Sequence, residues 1–127
     1  MSVEIRKAEP ATIAGKGRGI RAIAPIDAGT VIEAAPTILL SSRDCVLIER
    51  TPVGDYYFAH PDNDEDGLVI LGLASLANHA DQPNAELRWR RVDQIGWIAE
   101  LVALQTIDRN EEITRRYSCA PWFRVVA

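Results

Sequence analysis

Residues 73–87, LASLANHADQPNAEL, place a dense polar group directly after a small apolar run. The polar side chains are Asn78, His79, Asp81, Gln82 and Asn84. Buried polar side chains are almost always hydrogen-bonded, so this pattern suits either a solvated surface loop or a pocket built from loops. The remainder of the chain has to distinguish between the two.

The length and composition indicate an ordinary globular domain. The chain has 127 residues, 47% hydrophobic and 25% charged, and we expect a single domain over residues 1–127. No apolar run approaches the roughly 18 residues needed to cross a bilayer, and the N-terminus lacks a signal-peptide pattern. We therefore expect a cytoplasmic protein with no membrane partner.

The net charge of −4 bears on the partners of the chain. An acidic balance argues against general binding to a nucleic-acid backbone, which requires a basic face. It is compatible with a basic partner, such as a lysine-rich peptide, attracted by an acidic surface. We expect a protein or peptide partner and no direct contact with nucleic acid.

Glycine, proline and aspartate divide the chain into short β-rich segments. The predicted strands cover residues 3–8, 19–24, 30–35, 37–41, 55–60, 67–72, 85–92, 96–105 and 111–117. Short helices are predicted at 42–50, with Ser41 or Ser42 as the N-cap, and at 73–77. No long amphipathic helix appears, so the predicted fold class is mainly β, made of small sheets.

Several patterns imitate metal sites without completing one. The segment DNDEDG (62–67) resembles the start of a calcium loop, but the twelfth position is Leu73, where a carboxylate is required. Cys45 and Cys119 match no metal or disulfide spacing, and the two histidines have no ligand partners at metal spacing. We predict no metal site.

Four segments, in order along the chain, resemble the SET domain, the fold of one class of protein-lysine methyltransferases. They are GKGRGIRAIAPIDAGTVIE (15–33), GDYYFAH (54–60), LANHADQPNA (76–85) and ALQTIDRNEEITRRYS (103–118). The third is similar to the family signature N-H-S-x-x-P-N, and the fourth to its closing A-x-x-x-I-x-x-G-E-E-[LI]-T-x-x-Y. The length resembles that of the minimal viral- and bacterial-type members, which lack a zinc-binding post-SET tail.

This resemblance implies a SET-domain fold of the β-clip type, with several small sheets, short helices and a knot-like C-terminal crossing. At that crossing the N-H-S-x-x-P-N segment meets the closing strand and builds a pocket for S-adenosylmethionine. Such a pocket accounts for the polar group in residues 73–87, because a loop-built pocket needs hydrogen-bonded polar side chains.

The resemblance also implies the residues that contact S-adenosylmethionine. The Asn78 side chain is expected to bind the methionine end, and the His79 backbone to contact the adenine edge. The residues expected to lie along the cofactor, with mostly main-chain contacts, are Lys16, Gly17 and Arg18. In the tail APWF (120–123), Trp122 or Phe123 is a candidate lid over the site, or else the tail is an aromatic plug on the core. Asn84 is expected to be structural.

Two tyrosines are the predicted catalytic residues. Tyr117 occupies the family's catalytic position, where a hydroxyl aligns the amine or the departing methyl group. Tyr56 is predicted to form a wall of the lysine channel, with Tyr57 on the opposite side of the same strand. A narrow apolar channel favours the neutral, nucleophilic amine through desolvation.

The chain departs from the family pattern at four positions, of which one is Arg18, where some minimal members carry an aromatic residue. Ala80 replaces the serine after N-H, and Asn110 replaces the glycine before E-E, although asparagine also tolerates a positive φ. Arg115 stands where many members carry the Phe or Tyr that tunes how many methyl groups are added. The number of methyl groups transferred is therefore not predicted.

Two functions are consistent with the sequence. The first is an S-adenosylmethionine-dependent protein-lysine N-methyltransferase acting on a basic protein such as a histone. The second is a SET-like module that has lost turnover and binds a basic peptide or protein.

Minimal SET domains lack accessory substrate-binding domains, so a homodimer is a further expectation.

Overall fold

The computed structural model describes residues 6–63 and 65–117 of the chain. Within these residues there are nine strands, one α-helix and two short 3₁₀ helices. The strands are β1 (Ala8–Ile13), β2 (Gly17–Ala22), β3 (Val31–Leu40), β4 (Tyr57–Ala59), β5 (Gly67–Ile70), β6 (Asn78–His79), β7 (Ala85–Val92), β8 (Gly96–Ala103) and β9 (Thr114–Arg115). The predicted mainly β class is confirmed.

The first sheet is the antiparallel hairpin of β1 and β2, paired from Ala8↔Ala22 to Ile13↔Gly17. Its turn needs glycine, because Gly15 and Gly17 have φ values of 76° and 80°. Of the strand predicted at 3–8, residues 6 and 7 are not in a strand, because β1 begins only at Ala8. It continues through Pro10, which a strand at the edge of a sheet tolerates.

The second sheet has five antiparallel strands in the order β4-β5-β3-β8-β7. The sequence predicted two strands at 30–35 and 37–41, whereas β3 is one continuous strand. It runs through Pro36 because its partner changes there: residues up to Pro36 pair with β8, and residues from Thr37 pair with β5.

Helical segments join these strands. The helix α1 (Ser42–Ile48) begins at a capping box, in which Ser41 accepts from the Asp44 backbone and Asp44 accepts from the Ser41 backbone. Ser41 is therefore confirmed as one of the two predicted N-caps. The strand predicted at 55–60 is shorter than expected, because Pro52–Asp55 forms a 3₁₀ turn before β4.

The predicted helix at 73–77 is a single 3₁₀ turn, Leu73–Leu76. Its first two backbone N–H groups, those of Leu73 and Ala74, donate to the Glu33 carboxylate of β3 at 3.0 and 3.2 Å. The turn leads the chain from β5 into β6.

In the described ranges, no helix has the length and apolar character needed to span a membrane.

The third sheet is the parallel pair of β6 and β9, with Asn78 opposite Thr114 and His79 opposite Arg115. The strand predicted at 111–117 is reduced to Thr114–Arg115. The residues just before it bond elsewhere: the Glu111 carbonyl accepts from Ala22, and the Ile113 N–H donates to Ile20. These bonds tie the C-terminal segment to both the hairpin and the polar segment after residue 77.

One hydrophobic core contains residues of the hairpin and of the five-stranded sheet. Its fully buried large side chains are Ile20, Leu101, Ile107 and Ile113. Burying a side chain of this size contributes about 1.5–3 kcal/mol each. Ile20 follows the glycine-rich turn and Ile113 precedes β9, so the core fixes the two segments that carry the polar site.

Candidate functional site

Two polar side chains from distant parts of the chain, those of Lys16 and Asn78, meet at Glu112. Lys16 Nζ lies 2.9 Å from Glu112 Oε1, and Asn78 Nδ2 donates to Glu112 Oε2 at 2.8 Å. Asn78 Nδ2 also donates to the Arg18 carbonyl oxygen at 3.2 Å. The side chains of Lys16 and Glu112 are only 15% and 16% exposed, so this charge pair is well shielded from water. We call Lys16, Asn78 and Glu112 the Glu112 cluster.

Gly19 makes this approach possible. A Cβ at that position would lie 2.7 Å from Asn78 Nδ2 and 2.8 Å from Ile13 Cγ1, closer than real Cβ atoms come. A side chain at Gly19 would therefore force Asn78, Ile13 or Glu112 to shift and would disturb the Glu112 cluster. Gly17 differs, because a Cβ there would meet nothing within 4 Å, and its glycine is explained by its positive φ.

Tyr56 joins the same region through Arg18. The Arg18 Nη2 donates to the Tyr56 hydroxyl at 3.2 Å, and the guanidinium carbon lies 5.8 Å from the Tyr56 ring centre. Tyr56 is 37% exposed and directly precedes β4, whereas Tyr57 donates its hydroxyl to Glu49 at 2.6 Å. The two neighbouring tyrosines thus have different partners.

A second group forms around His79 and Tyr117. The Tyr117 backbone N–H donates to His79 Nδ1 at 2.9 Å, and the two ring centres lie 5.1 Å apart. His79 Nε2 lies 3.0 Å from Asp81 Oδ1. Because Nδ1 accepts a hydrogen bond, neutral His79 carries its proton on Nε2, facing Asp81. The His79 side chain therefore holds the backbone of Tyr117 in place.

Asn84 fastens the segment that carries these groups. Its Nδ2 donates to the Glu112 carbonyl at 2.8 Å and to Glu111 Oε2 at 3.1 Å, and its Oδ1 accepts from the Thr114 N–H at 2.9 Å. Asn84 is only 6% exposed. Its bonds link the polar segment directly to β9 and so hold the crossing together.

Arg115 lies between two aromatic rings. Its guanidinium carbon is 4.5 Å from the centre of the Phe58 ring and 4.4 Å from that of Tyr117, and the residue is 8% exposed. Phe58 in turn makes an edge contact with Trp89, with ring centres 6.1 Å apart. A cavity of about 330 Å³ borders the rings of Phe58 and Trp89 and is lined by Phe58, His60, Glu86, Trp89, Arg115 and Arg116, among others.

The structure brings most of the predicted site residues into two neighbouring groups. Lys16, Arg18, Asn78 and Tyr56 are linked to one another through the bonds above. His79 sits next to Tyr117 and, along the chain, next to Asn78. Trp122 lies outside the described residues.

Three residues of the site were not predicted from the sequence. Glu112 stood in the closing motif without a role, and only the fold shows that Lys16 and Asn78 reach it. Phe58 was hidden by the neighbouring tyrosines of the predicted strand 55–60, in which alternation would have placed it on the face of Tyr56. In the structure Tyr56 lies before β4. Asp81 lies two residues after His79. Its contact with His79 depends on the local backbone geometry, which the sequence does not give.

The residue types that bind metals, and the thiol of Cys45, were located in the described residues. In residues 6–63 and 65–117, no three His, Cys, Asp or Glu side chains lie close enough together to hold a metal ion. Cys45 is buried in α1. Burial raises the pKa of the Cys45 thiol, and the carboxylates of Asp66, Glu49 and Asp44 raise it further.

The chain was compared with known families and proteins. The model of the SET domain family matches residues 17–118. This chain belongs to the SET domain family. A histone-lysine N-methyltransferase of Schizosaccharomyces pombe, named as specific for H3 lysine-37, is 32% identical over 109 residues, which are 85% of this SET domain chain and 71% of the relative.

Solved structures of similar fold agree with this family. A Plasmodium falciparum structure, named as that of a histone methyltransferase, matches with a TM-score of 0.75 at 23% identity, over 94% of this chain and 100% of the other. A structure of the Chaetomium thermophilum Polycomb Repressive Complex 2 matches with a TM-score of 0.71 at 19% identity, over 91% of this chain and 15% of the other. At these identities the matches confirm the SET-type fold alone.

Proposed function

We propose that this SET domain protein is an S-adenosylmethionine-dependent protein-lysine N-methyltransferase that acts on a basic protein such as a histone. Family membership and the fission-yeast relative support protein-lysine methyltransferase activity. The observation that carries the proposal is the Glu112 cluster lying one residue along the chain from the His79–Tyr117 pair. One group suits the cofactor, and the other suits the reacting amine.

The Glu112 cluster has the chemistry that the amino-acid end of S-adenosylmethionine requires. That end carries an ammonium and a carboxylate, and the cluster offers the Glu112 carboxylate together with the Lys16 ammonium and the Asn78 amide. The residues proposed to hold the cofactor are Lys16, Gly17, Arg18, Asn78 and His79, with Trp122 as a proposed lid. When bound, S-adenosylmethionine supplies an electrophilic methyl group on a sulfonium.

The remaining chemistry falls to residues of the chain. A lysine amine, with an ordinary pKa of about 10.4, must be neutral to act as a nucleophile. The aromatic cavity beside Phe58 and Trp89 favours the neutral amine by desolvation. The Tyr117 hydroxyl is proposed to orient that amine, while His79 fixes the Tyr117 backbone. Tyr56 contacts Arg18 and does not line this cavity, so its proposed place as a channel wall is on the side of the Glu112 cluster.

The substrate and the setting remain part of the proposal. The net charge of −4 favours a basic substrate, and the fission-yeast relative is named for a lysine of histone H3. A single domain over residues 1–127, a cytoplasmic location, the absence of nucleic-acid binding and a homodimer are proposed on the sequence arguments given above.

Calorimetric titration with S-adenosylmethionine tests the cofactor assignment. Asn78→Ala should weaken binding by roughly 1–3 kcal/mol, because it removes a polar partner from a shielded site. Asn63→Ala, at an exposed asparagine of the β4–β5 connection, is the matched control and should bind as wild type does. If Asn78→Ala binds the cofactor as tightly as this control, Asn78 does not contact it.

A binding module without turnover is the second candidate. The observation that favours it is the Arg115 guanidinium, which lies between the rings of Phe58 and Tyr117 where a substrate side chain would be expected. Such a module need not bind S-adenosylmethionine. The same titration therefore separates the candidates, since absence of binding by the wild-type protein would favour the module.

A further inference from the structure

The space between the rings of Phe58 and Tyr117, which we call the ring seat, holds the guanidinium of Arg115. The distances of 4.5 and 4.4 Å to the two ring centres fall well within the range of cation–π contact. The seat is shielded, because Phe58 and Arg115 are 9% and 8% exposed. Its geometry is that of a cation-binding site, which the guanidinium of Arg115 occupies.

The ring seat also has the properties that a lysine side chain needs. Aromatic faces attract an ammonium, and Tyr117 is the proposed catalytic tyrosine. Two cations do not share this space, because they repel one another in a shielded site where water screens little. A lysine entering beside Tyr117 must therefore meet the Arg115 guanidinium.

The backbone of Arg115 is too firmly held to move aside. The residue pairs with His79 across β6 and β9, its carbonyl accepts from the Ala80 N–H at 3.0 Å, and Asn84 holds the preceding Thr114. The side chain can move by rotation, since Arg115 borders the 330 Å³ cavity. Glu86 lines the same cavity, and its carboxylate, which accepts from Arg88 Nε at 2.7 Å, can also accept from a displaced guanidinium.

Building on the proposed function, we propose that Arg115 is a specificity-determining residue that occupies the ring seat as an internal cation. A lysine side chain reaches Tyr117 only by displacing the guanidinium into the neighbouring cavity. A substrate must therefore make enough contacts elsewhere to drive this displacement, and the site selects against isolated lysine side chains. The ligand class of the seat is an organic primary ammonium.

The seat can be tested without methyl transfer, using n-butylammonium as the probe. Arg115→Met keeps a long side chain and removes the charge, so it should bind n-butylammonium about tenfold more tightly than wild type, the scale of one desolvated cation–π contact. Arg115→Lys keeps a cation and should bind as weakly as wild type. Arg90→Met, at an exposed arginine paired with Glu100 on β8, is the matched control. Equal affinity in all four proteins, measured by NMR titration of the aromatic ring protons, would overturn the proposal.

A measurement on the wild-type protein covers the case in which Arg115→Met does not fold. Two flanking rings should shift the Arg115 side-chain protons upfield, and a bound lysine peptide should remove this shift. Unshifted protons in the free protein, or a shift that persists with the peptide bound, would overturn the proposal.

Methyl-transfer assays separate this proposal from the proposed function. If Arg115→Met lowers the KM for a histone H3 peptide relative to wild type and Arg115→Lys does not, both stand. If neither wild type nor any variant transfers methyl groups, but Arg115→Met binds n-butylammonium more tightly than wild type does, the proposed function fails and the internal cation stands. Transfer by wild type, with unchanged KM and unchanged n-butylammonium binding in Arg115→Met, would leave the function and overturn the role of Arg115.

Discussion

Asn84→Ala should be among the most destabilising substitutions in the polar segment. The Asn84 side chain bonds to the Glu112 carbonyl, the Glu111 carboxylate and the Thr114 N–H, all on the C-terminal segment. Alanine removes these three bonds together, along with a longer one from Thr114 Oγ1 to Asn84 Oδ1 at 3.5 Å. It leaves the Thr114 N–H and the Glu112 carbonyl without this partner at a position that is only 6% exposed.

The magnitude follows from the two backbone groups that lose their partner. Each buried group left unsatisfied costs about 1–3 kcal/mol. The Glu111 carboxylate adds little, because it is only partly buried and also accepts from the Asp108 N–H. The free energy of unfolding should therefore fall by about 3 kcal/mol. For a chain of 127 residues this corresponds to a decrease in Tm of about 10 °C.

Urea unfolding followed by circular dichroism measures this change, with Asn63→Ala as the control at an exposed asparagine. The control should change the free energy of unfolding by less than about 0.5–1 kcal/mol. A loss below about 1 kcal/mol for Asn84→Ala would refute the reasoning. It would mean that water or neighbouring groups replace the three bonds, and that Asn84 does not hold the crossing together.

Two other predictions concern residues outside the polar segment. In a Cys119→Ser variant, Cys45 should react with a thiol reagent at pH 8 at least about tenfold more slowly in the native than in the urea-unfolded protein, because burial and its raised pKa suppress the thiolate; equal rates would contradict this. Glu33→Ala should lower the free energy of unfolding by roughly 1–2 kcal/mol, because it removes the acceptor for the N–H groups of Leu73 and Ala74; an unchanged urea midpoint would contradict it.

The local elements could be predicted where one short pattern fixed one structure. Ser41 and Asp44 have the spacing of a capping box, and α1 begins there. β7 covers residues 85–92 as predicted, because alternating side chains and flanking turns mark both its ends. Asn110, which replaces a glycine of the family pattern, adopts a φ of 68°, as asparagine tolerates.

The sequence was less informative where tertiary bonds override local preference. Residues 111–113 have strand character, yet they bond to the β1–β2 hairpin and leave only Thr114 and Arg115 in β9. Pro36 suggested a break, but the change of partner from β8 to β5 lets β3 continue. Propensity describes single segments, and these outcomes depended on neighbours far along the chain.

The candidate site, like the fold, could be predicted only in part from the sequence. The family pattern pointed to Asn78, His79 and Tyr117, but it could not show that Glu112 joins Lys16 to Asn78 across more than thirty intervening residues. It flagged Arg115 as unusual without showing that the side chain lies between two rings. Contacts between side chains distant in sequence require the fold, because spacing carries no information on them.

Methyl transfer to a histone substrate tests the central claim most directly. Purified protein is incubated with radiolabelled S-adenosylmethionine and with histones, including histone H3, or cell lysate. The modified residue is identified by mass spectrometry. Wild type should methylate lysine, and Tyr117→Phe, which keeps the ring and removes only the hydroxyl, should lower kcat by about 10²-fold with nearly unchanged cofactor affinity. A Tyr117→Phe variant with wild-type kcat would remove Tyr117 from catalysis. Wild-type protein that transfers no methyl group to lysine in any histone or lysate protein would contradict the account.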